Sequence, residues 1–467
     1  MVRKVTFGSV AQNPGFRYLW ANQVLVQLAY NTLNFALIVW VFKLVGTHMA
    51  VAALMLATYL PAVIFGIFAG VFVDVIDRRK LIMIIDFLLA LFFLLFVFFK
   101  GSFLLILLNT FLINSLAQFF IPAEGSSIPR LVSRKQLMLA NSLFSLTLYG
   151  AFMVGFSIGG PILDNFGINK VFYLGVVLLG FAFILVQGLP PIRPSYVKAG
   201  LRRGSHWQRF VLMIKLTKQE IRETFGFIIG KLNVGVAILL LSMIQGVIGV
   251  LAVIMPSFME RVLIIKATNA SYFVILPLGF GMITGAFLIG RRFNSTPRRS
   301  IVIPAIIGSG LAFILVGIVP TFAHLLQTAD LPSYITHPRF FFRAPSLSFF
   351  FAVIAYFLGF CMVSIIVPCQ TVLQENTSEK NRGKIFAVLA TLMTAVSAIA
   401  VVVVGSLSDL FGVIPIVLGL GVIALLIGLV ARHPSLFLSQ KHLSYPLKDF
   451  LGQGHWEKEQ PSQQPAA

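Results

Sequence analysis

Leu81-Ile-Met-Ile-Ile-Asp-Phe-Leu-Leu-Ala-Leu-Phe-Phe-Leu-Leu-Phe-Val-Phe-Phe99 is apolar at every position except Asp86. At about 1.5 Å per residue, a helix of this length crosses the roughly 30 Å hydrocarbon core of a bilayer once. Residues 172–186 and 413–430 read the same way, and twelve such spans fall along the chain. Their expected limits are 17–43, 50–73, 81–99, 103–123, 139–163, 168–189, 232–258, 270–290, 300–320, 347–371, 385–407 and 413–431. Hydrophobic residues make up 58% of the 467 positions and charged residues 11%, a balance that suits lipid as the main solvent. The expected fold is an all-α membrane protein of twelve transmembrane helices.

The formal charge of +21 raises nucleic acid as a partner, but a nucleic-acid site gathers its Lys and Arg on one patch. In this chain they are distributed by loop. With the N-terminus in the cytoplasm, 29 of the 36 basic residues fall in inside segments and seven outside. The positive-inside bias therefore predicts cytoplasmic termini and a multi-pass protein of the plasma (inner) membrane. Residues 1–16 lack the apolar core of a cleavable signal, so the first span is expected to direct insertion. Cys361 and Cys369 lie about 12 Å apart along one helix, too far for a disulfide.

The longest polar interruption, 190–230, splits the spans six and six. The expected domains are 1–190, a six-helix bundle; 191–230, a basic cytoplasmic linker; 231–432, a second bundle; and 433–467, a disordered cytoplasmic tail. Within the linker, residues 206–227 carry Trp207, Phe210, Val211, Ile214, Ile221 and Phe225 among Lys and Arg. That composition fits an amphipathic helix on an anionic leaflet, or a solvated linker. The halves echo each other, with Gly70, Asp74 and Arg78-Arg79 recurring as Gly290, Asn294 and Arg298-Arg299. A long external segment is expected from Thr321 to Ser346.

Gly70-Val-Phe-Val-Asp74-Val-Ile-Asp77-Arg78-Arg79-Lys80 resembles motif A of the major facilitator superfamily, with Val75 in place of the usual Arg and Asp77 in place of Gly. Phe16-Arg-Tyr-Leu-Trp20, Ile128-Pro-Arg-Leu-Val132 through Ala140-Asn141-Ser142, and Asn381-Arg-Gly-Lys384 resemble its bacterial drug, macrolide and siderophore exporters. Span 5 carries Gly155, Gly159 and Gly160 in a pattern similar to the antiporter motif, with Phe156 where that motif has Pro. Close helix packing is the other reading of these glycines. The resemblance implies two pseudo-symmetric six-helix bundles rocking about a central cavity. It also implies that Gly70, Asp74, Arg78 and Arg79 form a latch that holds the halves together in the outward-facing state, against the start of span 11. The alternative for Arg78, Arg79 and Lys80 is that they only set topology.

At 100° per residue, Gln23, Gln27, Tyr30, Asn31 and Asn34 fall on one stripe of span 1. Such a stripe faces a cavity or a neighbouring helix rather than lipid. Asn114, Gln118, Gln245 and Gln370 are candidates for the same substrate cavity. Of the fifteen acids, ten, Asp409 among them, are assigned to cytoplasmic loops, ends or tail, and Asp164, Glu260 and Asp330 to the outside. Asp86 and Glu124 remain in apolar stretches as candidates for proton coupling. Pro122 is expected to break span 4 beside Glu124.

All seven histidines, His48 included, are placed in loops or tail, so no metal site is expected. No phosphate-binding glycine loop is present and no cofactor is expected. No catalytic cluster points to an enzyme. The expected function is secondary transport by alternating access, exporting a small amphipathic or hydrophobic compound, with protons as the candidate coupling ion and a monomer as the working unit. The alternatives are a lipid transporter or scramblase-like protein, and an uncoupled facilitator.

Overall fold

The computed structural model describes residues 12–73, 76–133, 136–192, 232–292, 299–328, 344–375 and 379–432. Among the described residues, twelve α-helices carry the fold. They are α1 (Pro14–Val45), α2 (His48–Val73), α3 (Arg78–Phe99), α4 (Phe103–Leu131), α5 (Leu137–Phe166), α6 (Ile168–Val186), α7 (Leu232–Ser257), α8 (Leu276–Arg292), α9 (Arg299–Thr328), α10 (Ala344–Glu375), α11 (Glu379–Phe411) and α12 (Val413–Arg432). The described residues contain no strand. Among the described residues, eleven helical segments are long and apolar enough to cross a membrane, which makes this a multi-pass membrane protein. The linker, the tail, Asp74 and most of the long segment between α9 and α10 lie outside the described residues.

Local chemistry sets the helix ends. Asn13 caps α1, its side chain accepting from the Phe16 amide at 3.1 Å, and Pro14 takes the first turn, where no amide bond is lost. Gly46 ends α1 at φ 79°, its amide donating back to the Phe42 carbonyl at 2.8 Å, a left-handed conformation that glycine adopts without strain. Asp77 caps α3 by accepting from the Arg79 amide at 3.0 Å, which gives the Asp in the motif-A loop a structural role. α4 runs unbroken through Pro122, contrary to the expected break. A proline removes a single amide donor, and neighbouring helices in a bundle support the rest.

Helices pack with a repeat of six. α1 lies on α5 as α7 lies on α11, α2 on α4 as α8 on α10, and α3 on α6 as α9 on α12. Two cores follow. One fills α1 to α6 and crosses into the other half through Val250, Val253 and Ile254 of α7 and Val401 and Val404 of α11. A separate core holds Val234 to Leu241 of α7 with Ile385 and Leu389 of α11, at the end of the molecule that carries Asn13. The halves are thus packed together at the end opposite Asn13, termed distal, and separately cored at the Asn13 end.

Hydrogen bonds follow the same asymmetry. Several that join described residues of the two halves lie distally, where Asp409 of α11 accepts from the His48 amide at 2.8 Å and the Met49 amide at 2.9 Å and meets His48 Nδ1 at 2.6 Å. Arg261 donates to the Gly46 carbonyl at 2.9 Å and stands 5.5 Å from the Phe42 ring centroid. Lys266 pairs with Asp164 at 2.8 Å. This corrects two assignments made from sequence: α11 continues four residues past its expected limit to Phe411, so Asp409 lies in its last turn, at the end opposite Asn13 and not at the same end. His48 opens α2 and is 2% exposed instead of standing in a loop.

Candidate functional site

A polar group sits inside the apolar bundle where α1, α2, α4, α7 and α11 converge. The Tyr30 hydroxyl donates to Asn114 Oδ1, with Asn34 one turn further along α1 beside the same hydroxyl. Asn114 Nδ2 donates to the Thr110 carbonyl at 2.8 Å, and Gln118 Nε2 to the Asn114 carbonyl at 3.4 Å. Across the inter-half seam, Gly249 of α7 makes room for two more hydroxyls. A Cβ there would lie 3.3 Å from the Tyr59 hydroxyl and 3.6 Å from Ser397 Oγ. Uncharged amides and hydroxyls in apolar surroundings bind through a few directional hydrogen bonds and otherwise through apolar contact. Gln245 of α7 and Gln370 of α10 are half-buried, with no side-chain hydrogen bond to a described residue. Tyr59 and Ser397 escaped the sequence reading because neither belongs to a stripe of amides, and scattered hydroxyls such as Thr58, Thr391 and Thr394 stand near them in the same apolar spans.

The α1 stripe divides. Gln23 donates to the Phe144 carbonyl of α5 at 3.3 Å, and Asn31 turns back on the Gln27 carbonyl at 2.8 Å while its Cβ presses on Gly155. Gln23 and Asn31 therefore face α5 in this state, whereas Gln27 is half-buried. A 100° arc is wide enough to touch two neighbours. The α5 glycines divide likewise: a Cβ on Gly155 would lie 2.7 Å from the Asn31 Cβ and one on Gly159 3.1 Å from the Phe35 ring. Gly160 instead meets Ser271 Oγ and the Thr268 carbonyl of the other half.

In the motif-A loop, Gly70 lies in the last turn of α2 and Asp74 outside the described residues. Arg78 begins α3, is 6% exposed, and its amide donates to the Ile192 carbonyl at 3.2 Å. Arg79 Nη2 donates to the Gln187 carbonyl at 2.6 Å, tying the foot of α3 to the end of α6. Asp86 is fully buried and accepts from Asn22 Nδ2 at 2.7 Å. Glu124 on α4 is 6% exposed and within electrostatic reach of Asp86. Among the described residues no group of His, Cys, Asp and Glu is arranged to hold a metal.

Comparison with known proteins matches residues 19–335 to the family model of the Major Facilitator Superfamily. The chain is 27% identical over 278 residues to the uncharacterized MFS-type transporter YkuC of Bacillus subtilis (strain 168), covering 55% of this chain and 59% of YkuC. The alignment thus spans less than two thirds of that relative. Among solved structures, a POT family transporter in complex with 5-aminolevulinic acid superposes with a TM-score of 0.66 at 12% identity, covering 93% of this chain and all of that one. A bacterial homolog of the human lysosomal transporter Spinster, in an inward-facing and unoccupied conformation, superposes at 0.61 with 14% identity, covering 90% of this chain and 94% of its own. At these identities the likeness speaks for the fold. With a family model covering more than half its length, twelve helices in two six-helix repeats and a motif-A loop after α2, the chain belongs to the Major Facilitator Superfamily of transporters.

Proposed function

We propose that this transporter exports a small amphipathic or hydrophobic compound, of the drug, macrolide or siderophore kind, across the plasma membrane by alternating access. The observation that carries the reading is the position of the polar group formed by Tyr30, Asn34, Asn114, Gln118, Tyr59 and Ser397. It lies at the seam between halves that are joined distally and separately cored at the Asn13 end. Alternating access needs a site at such a seam, reached from one side at a time. The loop charges put the Asn13 end in the cytoplasm, so this state would load from the cytoplasm.

Export, rather than uptake, rests on the segments that resemble drug and siderophore exporters. Coupling to protons rests on Asp86 and Glu124, the two acids buried inside the bundle among the described residues. The test is a panel of drug-like, macrolide and siderophore-like compounds in inverted vesicles, with and without an imposed pH gradient. Accumulation that depends on the gradient supports proton-coupled export. Equilibration without accumulation identifies an uncoupled facilitator, and movement of labelled phospholipid alone replaces the reading with a lipid transporter.

A further inference from the structure

The five helices that converge on the polar group carry no charge across the depth at which it sits. Residues 18–42 of α1, 49–73 of α2, 103–123 of α4, 232–257 of α7 and 385–408 of α11 hold no Asp, Glu, Lys, Arg or His. The same is true of 137–163 in α5, 276–290 in α8 and 344–374 in α10 beside them. Charges return only toward the helix ends, with Lys43 about 20 Å along α1 from Tyr30 and Asp409 about 18 Å along α11 from Ser397. Glu124 is nearer, about 9 Å along α4 from Gln118. It is buried and within electrostatic reach of Asp86 of α3.

Backbone dipoles do not take the place of charged side chains. A broken helix can aim its N-terminus at an anion or its carbonyl end at a cation. Here α1, α2, α4, α7 and α11 each run through the polar group as one helix, so no helix end points into it. What remains is neutral and two-sided. Tyr30 donates to Asn114, Ser397 is fully buried beside the Gly249 notch, and the half-buried Gln245 and Gln370 have amides with no side-chain hydrogen bond to a described residue. An amide offers a donor and an acceptor together, which a ligand amide, hydroxyl or carbonyl can answer. An ion brought to the same place would lose its water without gaining a counter-charge, a cost large enough to weaken binding by about 100-fold or more.

We infer that the polar group selects compounds without net charge, held through amide, hydroxyl or carbonyl groups, and rejects cations and anions of the same shape. The inference rests on the reading of this group as the substrate site and narrows the substrate class within it. Its test measures binding to the protein in detergent, where there is neither a direction nor a gradient. A vesicle panel that shows uptake or simple equilibration would therefore refute export and leave the selectivity standing. A preference for ions would refute the selectivity and leave export standing.

The experiment follows the melting temperature of the purified full chain against matched sets of three probes. Each set shares one aromatic body and differs in a single group: a carboxamide, a primary ammonium or a carboxylate. Sets of increasing body size are titrated at a pH where the last two are fully ionised. Saturating carboxamide should raise the melting temperature by about 2 to 4 °C in at least one set. Its ionic partners should need at least about 100-fold higher concentration for the same rise. Tyr59→Phe and Ser397→Ala, each removing one hydroxyl, should raise the half-effective carboxamide concentration about three- to tenfold. Asn114→Asp, which keeps the acceptor for Tyr30 and adds one charge, should lower the half-effective ammonium concentration at least about tenfold. Should Asn114→Asp fail to fold, Gln118→Glu makes the same test, and the parent's own titrations decide by themselves. An ammonium or carboxylate that binds the parent as well as its carboxamide overturns the inference, the former by cation–π contact with Tyr30 or Tyr59. So does a carboxamide effect that survives unchanged in both hydroxyl variants, or a parent that no set stabilises.

Discussion

Asp409 makes the sharpest demand on the alternating-access reading, because it caps a helix of the opposite half. Its carboxylate accepts from two backbone amides at the start of α2, at 2.8 and 2.9 Å, and meets the His48 ring at 2.6 Å. These contacts exist only while the distal ends touch; once they part, water satisfies the same groups. Replacing a capping carboxylate by Ala costs about 0.5 to 2 kcal/mol, and hydrogen bonds to charged groups about 1.5 to 3 kcal/mol each. Asp409 is 30% exposed, so solvent already competes for it. A net loss of about 2 kcal/mol from the distally closed state is the reasonable magnitude, equivalent to a roughly 30-fold shift toward the distally open state. Spin labels on cysteines at the exposed distal positions Leu44 and Leu410, in a Cys361→Ser, Cys369→Ser background, report the separation by pulsed dipolar spectroscopy. The parent should show mainly the short distance, and Asp409→Ala should transfer most of that population to a longer one. Identical distance distributions, with both proteins folded, would refute the idea that this cap biases the two states.

Gly160→Ala should also disfavour distal closure, because its new methyl meets Ser271 and the Thr268 carbonyl across the seam. Gly155→Ala meets Asn31 within one half and should instead lower the melting temperature, at about 1 to 3 kcal/mol of stability. Cysteine at Gln27 should react with a small impermeant thiol reagent faster than cysteine at Asn31, since Asn31 is 7% exposed and packed on α5; equal rates would show that the stripe faces one common path. For the motif-A latch, Asp74→Ala should impair transport at matched expression more than Arg79→Ala, because Arg79 is engaged with Gln187 at the foot of α6 in this state. Undiminished uptake by Asp74→Ala would remove the latch.

Much of the architecture is legible in one dimension because lipid imposes it. A helix that crosses hydrocarbon must satisfy its own backbone and present some twenty apolar residues, so spans such as Leu81 to Phe99 announce themselves without any partner. The division into six and six, the motif-A loop and the isolation of Asp86 and Glu124 among apolar residues follow from the same constraint. Side-chain periodicity placed Gln23, Tyr30, Asn31 and Asn34 on one broad face. It did not say which neighbour each would meet, since a stripe of 100° reaches two helices.

What the tertiary structure decided is everything that depends on distant segments coming together. Asp409 and His48 are 361 positions apart, and no local pattern marks a cap shared between α11 and α2. Asn22 lies off the stripe and gains its meaning from Asp86 and Ala182. Gly155 and Gly160 look alike in sequence, yet one serves packing within a half and the other contact between halves. The physical reason is that hydropathy is a property of a residue and its solvent, fixed by composition along the chain, whereas a hydrogen bond or a steric contact is a property of a pair. Pairs are set only when the two halves have docked.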